Sequence, residues 1–480
     1  SGTSGPDISQ EVTLTMYLIG DRPVDNDKVF EKINERLKEE INATIDVKYM
    51  SWSEYEQKYP LIFASGEDWD MIFTADWCFY NAQATKQGFW EITPEALETY
   101  APMTAESMYP EAWEQAKVDG KVYMLPMNYQ ELTAYVWMAR GDLMDKYGFE
   151  GAEQYMQAIV DNEPSMIPLD VGSDYDRQFV FDLLWNVESN AKGDDNYYVL
   201  PPVNLFTCVQ ENDPEANVMS TLDADIFMNT LNTVKDWRDR GFWSRNAVVK
   251  PQNNTESYQA GKSALAVMNI NTAKSLYATL QAEHPEWDVR VFDAMNGAPA
   301  IIQSYLANGM NIFSKSKNPE RALMALDYLR NDEICHNLFC YGIEGVHWEA
   351  VGEHGLKSLP DSSNYAYDSN CNWGVRNDKF WRTVEGGIPN SEELTETWKE
   401  TARSGRYITF VFDDSEVKNE VAAISEIYNS DYKLLQLGFT DDPAGDVEKL
   451  KAKLDAAGVD ALQEAFHTQA LTFLESHPVE

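Results

Sequence analysis

Residues 68–90, DWDMIFTADWCFYNAQATKQGFW, decide the reading of the fold. Met71, Ile72 and Phe73 make an unbroken apolar run with a β-branched centre, the pattern of a strand buried on both faces, as in a parallel sheet. The run stops at Thr74, Ala75 and Asp76. Trp77 and Tyr80 follow at once, with Asn81 and Gln83 behind them. In open α/β sheets, ligands sit beyond the carboxyl ends of the strands. A carboxylate and two aromatic rings at that place read as the rim of a binding cleft, or else as the cap of a core.

The residues upstream support the sheet. Glu11 to Gly20, EVTLTMYLIG, alternates as a strand. Val29, Ile33, Leu37 and Ile41 recur at helical spacing. Ile45, Val47 and Tyr49 alternate again up to Ser51-Trp52, and a helix through Tyr55 and Leu61 leads to the run at 71–73. The order β-α-β-α-β predicts a parallel sheet with right-handed crossovers. All three strand ends then meet one edge, near Asp21, Trp52 and Asp76.

Further along, KVDGKVYMLP (117–126) reads as a turn at Asp119-Gly120 followed by a strand. Strands are expected at 135–138, 265–268 and 289–292, and 160–220 reads as largely irregular. A helix is expected over Arg177 to Trp185 with Trp185-Asn186 at its end. Asn318-Pro319 reads as an N-cap with Pro in the first helical position. The last hundred residues read as mostly helical, with apolar stripes such as Val417, Val421, Ile424 and Tyr428.

The chain has 480 residues and is 44% hydrophobic, enough for two or three domains with sizeable cores. No apolar run approaches the roughly 18 residues of a membrane span. A formal net charge of −41 repels phosphate backbones and anionic bilayers, which argues against nucleic-acid binding. SGTSGPDISQ (1–10) reads as a polar leader or tether. Cys78, Cys208, Cys335, Cys340 and Cys371 are too sparse for a disulfide framework. The 14 Trp, 25 Tyr and 20 Phe often stand next to Asn, Asp or Gln, as in DWCFYN, LWN, CNW and MNYQ (127–130, with Tyr129). Rings for C–H faces beside planar groups for hydroxyls lean towards carbohydrate.

Catalytic and metal chemistry find little support. On a helix, Cys335 and Cys340 point about 140° apart, so they do not converge on one ion. No G-x-S-x-G, phosphate-binding loop or dinucleotide fingerprint is present. Glycoside hydrolysis needs only two carboxylates at a set separation, and none of the 79 acidic residues is singled out for it. Glu344, His347 and Trp348 cluster in a Gly-bounded loop able to offer hydrogen bonds and one stacking face, or else form an ordinary structural loop.

Taken in order, several pieces resemble the extracellular solute-binding proteins of carbohydrate-type ABC importers. They are WDMIFTADWCFYNAQATKQGFWEI (69–92), DGKVYMLP (119–126), ARGDLMDKYG (139–148), YQAGKSALAVMN (258–269) and SKNPERALMALDYLRNDE (316–333). YGIEGVHW (341–348) and AAGVDALQEAFHTQALTFL (456–474) are similar to a lipoprotein subgroup of Gram-positive bacteria with an extra C-terminal helical region. The resemblance implies an α/β, two-lobed periplasmic-binding-protein-like fold of type II. Lobe 1 is expected over 11–136 plus 296–345, and lobe 2 over 137–295 plus 346–480.

It also implies capture of an oligosaccharide between lobes that close about a hinge. Delivery is to ABC transporter permease subunits, with no catalysis; from the residues themselves no metal and no cofactor is expected. The protein is expected to act as a monomer at the cell surface, tethered by a lipid anchor whose cysteine this chain lacks. Trp77, Tyr80, Tyr129, Trp185, Trp348 and Trp373 are the expected aromatic contacts, and Asp76, Asn271, Glu344 and His347 the polar ones. Asn269-Ile270-Asn271 stands where a Trp-containing loop is usual, which makes that wall polar. The competing readings are a glycan-cleaving hydrolase and a binding protein for peptides.

Overall fold

The computed structural model describes residues 6–52, 54–172, 174–248, 254–366 and 371–476. Ser1–Gly5 of the expected leader lie outside them. The rest of the leader is not a free tether, because Asp7 and Gln10 carbonyls accept from the Arg321 guanidinium.

The chain divides into two compact units. One combines Ser1–Glu131 with Gln303–Gly387, the other Leu132–Ile302 with Ile388–Glu480. Residues 346–387 therefore belong to the first unit, where the expected division put them in the second. Their apolar side chains explain it: Trp348, Leu356, Tyr365, Cys371 and Val375 are buried in the same core as the first unit's sheet.

That sheet starts as expected. β1 (Val12–Ile19) pairs in parallel with β2 (Ala43–Met50) and with β3 (Met71–Thr74). α1 (Asn26–Ile41) joins β1 to β2 and buries Val29, Ile33, Leu37 and Ile41, the stripe that its sequence spacing defines. α2 (Tyr55–Ser65) joins β2 to β3. All four residues of β3 are buried. Strand Gly309–Ile312 returns antiparallel beside β3, and Met124–Pro126 pairs antiparallel with it. Helices Pro319–Asn331 and Glu333–Tyr341 add to the core, and a small sheet of Trp348–Val351, Gly355–Ser358 and Thr383–Val384 completes the unit.

The second unit is built on a sheet ordered Arg290–Asp293, Tyr135–Ala139, Ser263–Asn269, Ile167–Leu169. The segment 160–220 is more regular than its composition suggests, with strands at Tyr197–Val199, Thr207–Gln210 and Met219–Ser220. The helix expected to end at Trp185-Asn186 runs on to Asn190. The C-terminal region is helical, with Lys418–Ile427, Pro443–Ala456 and Val459–Ser476 contributing Ile424, Leu450, Leu454, Leu462 and Phe466 to this unit's core.

Candidate functional site

Three indoles gather beyond the carboxyl ends of β2 and β3. Trp52 follows β2 by two residues, and Trp77 follows β3 by three. Because the strands are parallel, both turns emerge on one edge. Trp52 is 47% exposed and Trp77 49%, unusual for the largest side chain. Trp373, on the short 3₁₀ turn Asn372–Val375, is partly buried. The Trp52 ring lies at 27° to that of Trp77 and at 13° to that of Trp373, with centroids 6.2 Å apart in each pair. Phe73 at the end of β3 supports both outer indoles, at 5.9 Å from Trp77 and edge-on at 6.3 Å from Trp373.

Polar groups fix this surface. The Asp76 carboxylate accepts the Ser304 hydroxyl at 2.5 Å and the Trp77 backbone N–H at 2.8 Å. Burial holds its pKa above the ordinary carboxylate value. Trp77 Nε1 donates to the Ala307 carbonyl at 2.7 Å. In the same unit, Arg376 Nη1 donates to the Tyr129 hydroxyl at 2.8 Å and to Glu131 at 2.7 Å, and Tyr129 donates to Glu131 at 3.2 Å. The Arg376 guanidinium lies 3.7 Å over the Trp381 ring. Flat apolar faces beside a fixed carboxylate can stack on the C–H side of a sugar ring and accept from its hydroxyls.

Several expected contacts are not where the sequence reading placed them. Tyr80 is fully buried and donates its hydroxyl to the Ala116 carbonyl at 2.5 Å, so it belongs to the core. Trp348 is 2% exposed, with Nε1 on the Gly342 carbonyl at 3.1 Å and its ring against Tyr341 and Arg382, which leaves no open face for stacking. His347 is equally buried. Its Nδ1 accepts the Ile343 N–H at 2.8 Å and its Nε2 meets Asp25 at 3.2 Å, so its function is to hold the loop. Glu344 stands exposed on that loop. Trp185 lies in the core of the second unit, 4% exposed. Asn271 is also in the second unit, partly exposed in the first turn of helix Ile270–Glu283, whose N-cap is Asn269. Asp76, Trp77 and Trp373 are the expected residues that come together.

Trp52 belongs to the same cluster, although it is not among the contacts expected from the sequence. Its signal was its place, directly after a strand as Trp77 is. Arg376 and Glu131 carried no local signal, since 245 residues separate them. Among the described residues, no group of three or more His, Cys, Asp or Glu is arranged for a metal ion. The five cysteines are buried, and no disulfide joins any of them among the described residues. No described helix is long and apolar enough to cross a membrane.

Comparison with known proteins places this architecture. Residues 406–475, which cover much of the C-terminal helical region, match a domain of unknown function. A carbohydrate ABC transporter substrate-binding protein of Streptococcus pneumoniae is 23% identical over 465 residues, covering 94% of this chain and 89% of that one. The crystal structure of the N-glycan transport solute binding protein from Streptococcus pneumoniae superimposes with a TM-score of 0.77 at 19% identity, covering 97% of this chain and 99% of that one. The same protein in complex with Man5GlcNAc gives a TM-score of 0.73 at 20% identity, covering 98% and 100%. The fold is therefore the α/β fold of the two-lobed solute-binding proteins, with a helical C-terminal region. Residues 23–334 match the family described as bacterial extracellular solute-binding protein, and the chain belongs to that family.

Proposed function

We propose that this protein captures an oligosaccharide outside the cell and hands it to the permease subunits of an ABC transporter, without chemical change to the sugar. The observation that carries the reading is the cluster of Trp52, Trp77 and Trp373, with two indoles half exposed at the carboxyl ends of parallel strands. Sugar rings stack on these faces, and the Asp76 carboxylate and the Tyr129–Arg376–Glu131 group bind hydroxyls. The two units serve as the two lobes. The protein acts as a monomer, held at the cell surface by a lipid anchor. The matched relatives, a carbohydrate transporter component and an N-glycan transport protein, support an oligosaccharide over a peptide.

The test is calorimetric titration with Man5GlcNAc and a panel of unrelated oligosaccharides and peptides, followed by chromatography of the recovered ligand. Intact sugar after saturable binding is the expected result. At 100 times its dissociation constant it should also add about 2.7 kcal/mol of stability. Cleavage products would establish the hydrolase reading, and saturation by peptides alone would establish the peptide one.

A further inference from the structure

Trp373 sits on a 3₁₀ turn of four residues, entered through Cys371 in the left-handed region at φ 58°. So short a turn has little stability of its own. The position of the third indole must therefore be imposed from outside the turn.

One such grip comes from Arg330. It lies in helix Pro319–Asn331 and is 2% exposed. Its Nη2 donates to the Gly374 carbonyl at 3.1 Å and to the Leu125 carbonyl at 3.4 Å, so one nitrogen ties the turn to strand Met124–Pro126. Its own backbone carbonyl accepts Asn377 Nδ2 at 3.2 Å. Arg330 thus holds the chain on both sides of Val375. Asn377 is held further by Asn128 at 3.0 Å, by Asn331 at 3.1 Å and by His336, whose Nε2 accepts the Asn377 N–H at 3.1 Å. On the turn's other side, Asn372 Nδ2 donates to the Cys340 carbonyl at 3.1 Å. The turn is pressed against the sheet so closely that a Cβ on Gly374 would stand 2.9 Å from the Phe73 ring.

The guanidinium is costly to keep there. Its Nε and Nη1 have no hydrogen-bond partner among the described residues, and burial draws its pKa down to about 10. A buried charge without a direct counter-ion is destabilising, and apolar residues of similar volume often replace such charges with a gain in stability. What an apolar side chain would lack is the pair of bonds to Gly374 and Leu125. The other two indoles are held differently: Trp77 by its own bond to Ala307, and Trp52 by the rings of Tyr55, Trp77 and Trp373.

We infer that Arg330 is a positioning residue for the ligand site: it touches no ligand itself and fixes Trp373 as one wall of the indole cluster. This rests on the proposed reading of that cluster as the oligosaccharide site. The test is a double-mutant cycle in the full chain, with Man5GlcNAc affinity as the readout for wild type, Arg330→Met, Trp373→Ala and the double variant. Trp373→Ala and Arg330→Met are each expected to weaken binding by about fivefold or more, and the double variant to bind no worse than Trp373→Ala alone, because coupled residues are not additive.

Asn377→Ala removes the second grip without touching the buried charge, and it serves in the same cycle if Arg330→Met does not fold. Acrylamide quenching of indole fluorescence should rise in Arg330→Met and not in the double variant relative to Trp373→Ala. Wild-type affinity in Arg330→Met beside weakened Trp373→Ala would overturn the inference and leave the site reading standing, as would additive losses. Unchanged affinity in Trp373→Ala would overturn the site reading itself.

Discussion

Trp77 donates its indole N–H to the Ala307 carbonyl across 2.7 Å, although 230 residues separate the two in sequence. The bond sets the tilt of the ring while 49% of the residue stays exposed. The ring is anchored by its edge and offers its face, a geometry suited to stacking.

Trp77→Ala should therefore cost binding and spare the fold. A tryptophan ring buries on the order of 150–250 Å² when covered. Covering a third of that at about 25 cal/mol per Å² gives roughly 1–2 kcal/mol, and about 1.4 kcal/mol is a factor of ten. Affinity should fall by about tenfold with a melting temperature near wild type. Phe73→Ala, fully buried two strands from the sheet edge, should open a cavity costing about 3–5 kcal/mol. Calorimetry and thermal melting on both variants check this; normal binding and a low melting point in Trp77→Ala would make the residue core.

Trp52→Ala should behave like Trp77→Ala, since Trp52 is equally exposed and lies between the other two indoles. The expected loss is roughly 1–2 kcal/mol of binding free energy. A titration that shows wild-type affinity would remove Trp52 from the site.

His347→Ala should act on stability and leave affinity in place. The imidazole is buried between the Ile343 N–H and the Asp25 carboxylate, and its removal leaves both without that partner. An orphaned buried group costs about 1–3 kcal/mol. Trp348→Ala, which also empties core volume, should cost about 3–5 kcal/mol. Denaturant melts measure both, and affinity of the folded fraction should match wild type.

Asp182 predicts a pH effect. It lines a recess of the second unit with Phe181, Trp185, Tyr428 and Tyr432, and desolvation raises its pKa to about 7. In the unfolded chain the same carboxyl ionises near pH 3.9. Between about pH 4 and 7 the folded state thus holds the extra proton, and stability from this group falls as pH rises. Asp182→Asn should remove that fall. The melting-temperature difference between the variant and wild type should shift in favour of the variant from pH 4.5 to 7.5; a constant difference would show that Asp182 does not titrate in this window.

Local pattern carried much of the architecture. The alternation in β1 and β2, the stripe of Val29, Ile33, Leu37 and Ile41, and the apolar run before Asp76 specify a parallel βαβαβ unit, because side-chain period determines which face is buried. The position of Trp77 after such a strand was enough to place it, exposed, at the carboxyl-end edge of the sheet. Tertiary structure decided which aromatic rings are faces and which are filling. Tyr80 follows Trp77 by three residues, yet its hydroxyl reaches Ala116 and its ring is lost to the core. His347 and Trp348 stand in a Gly-bounded loop that in sequence is as open as the turn at Asp76, but both are buried within the first unit. The gathering of Trp52, Trp77 and Trp373 depends on the sheet edge and on the grip of Arg330 on Gly374, contacts between residues far apart in the chain. Residue type and spacing report the local periodicity of burial; they carry no record of which distant segment covers a given ring, and that coverage decides whether an indole is a binding surface or part of a core.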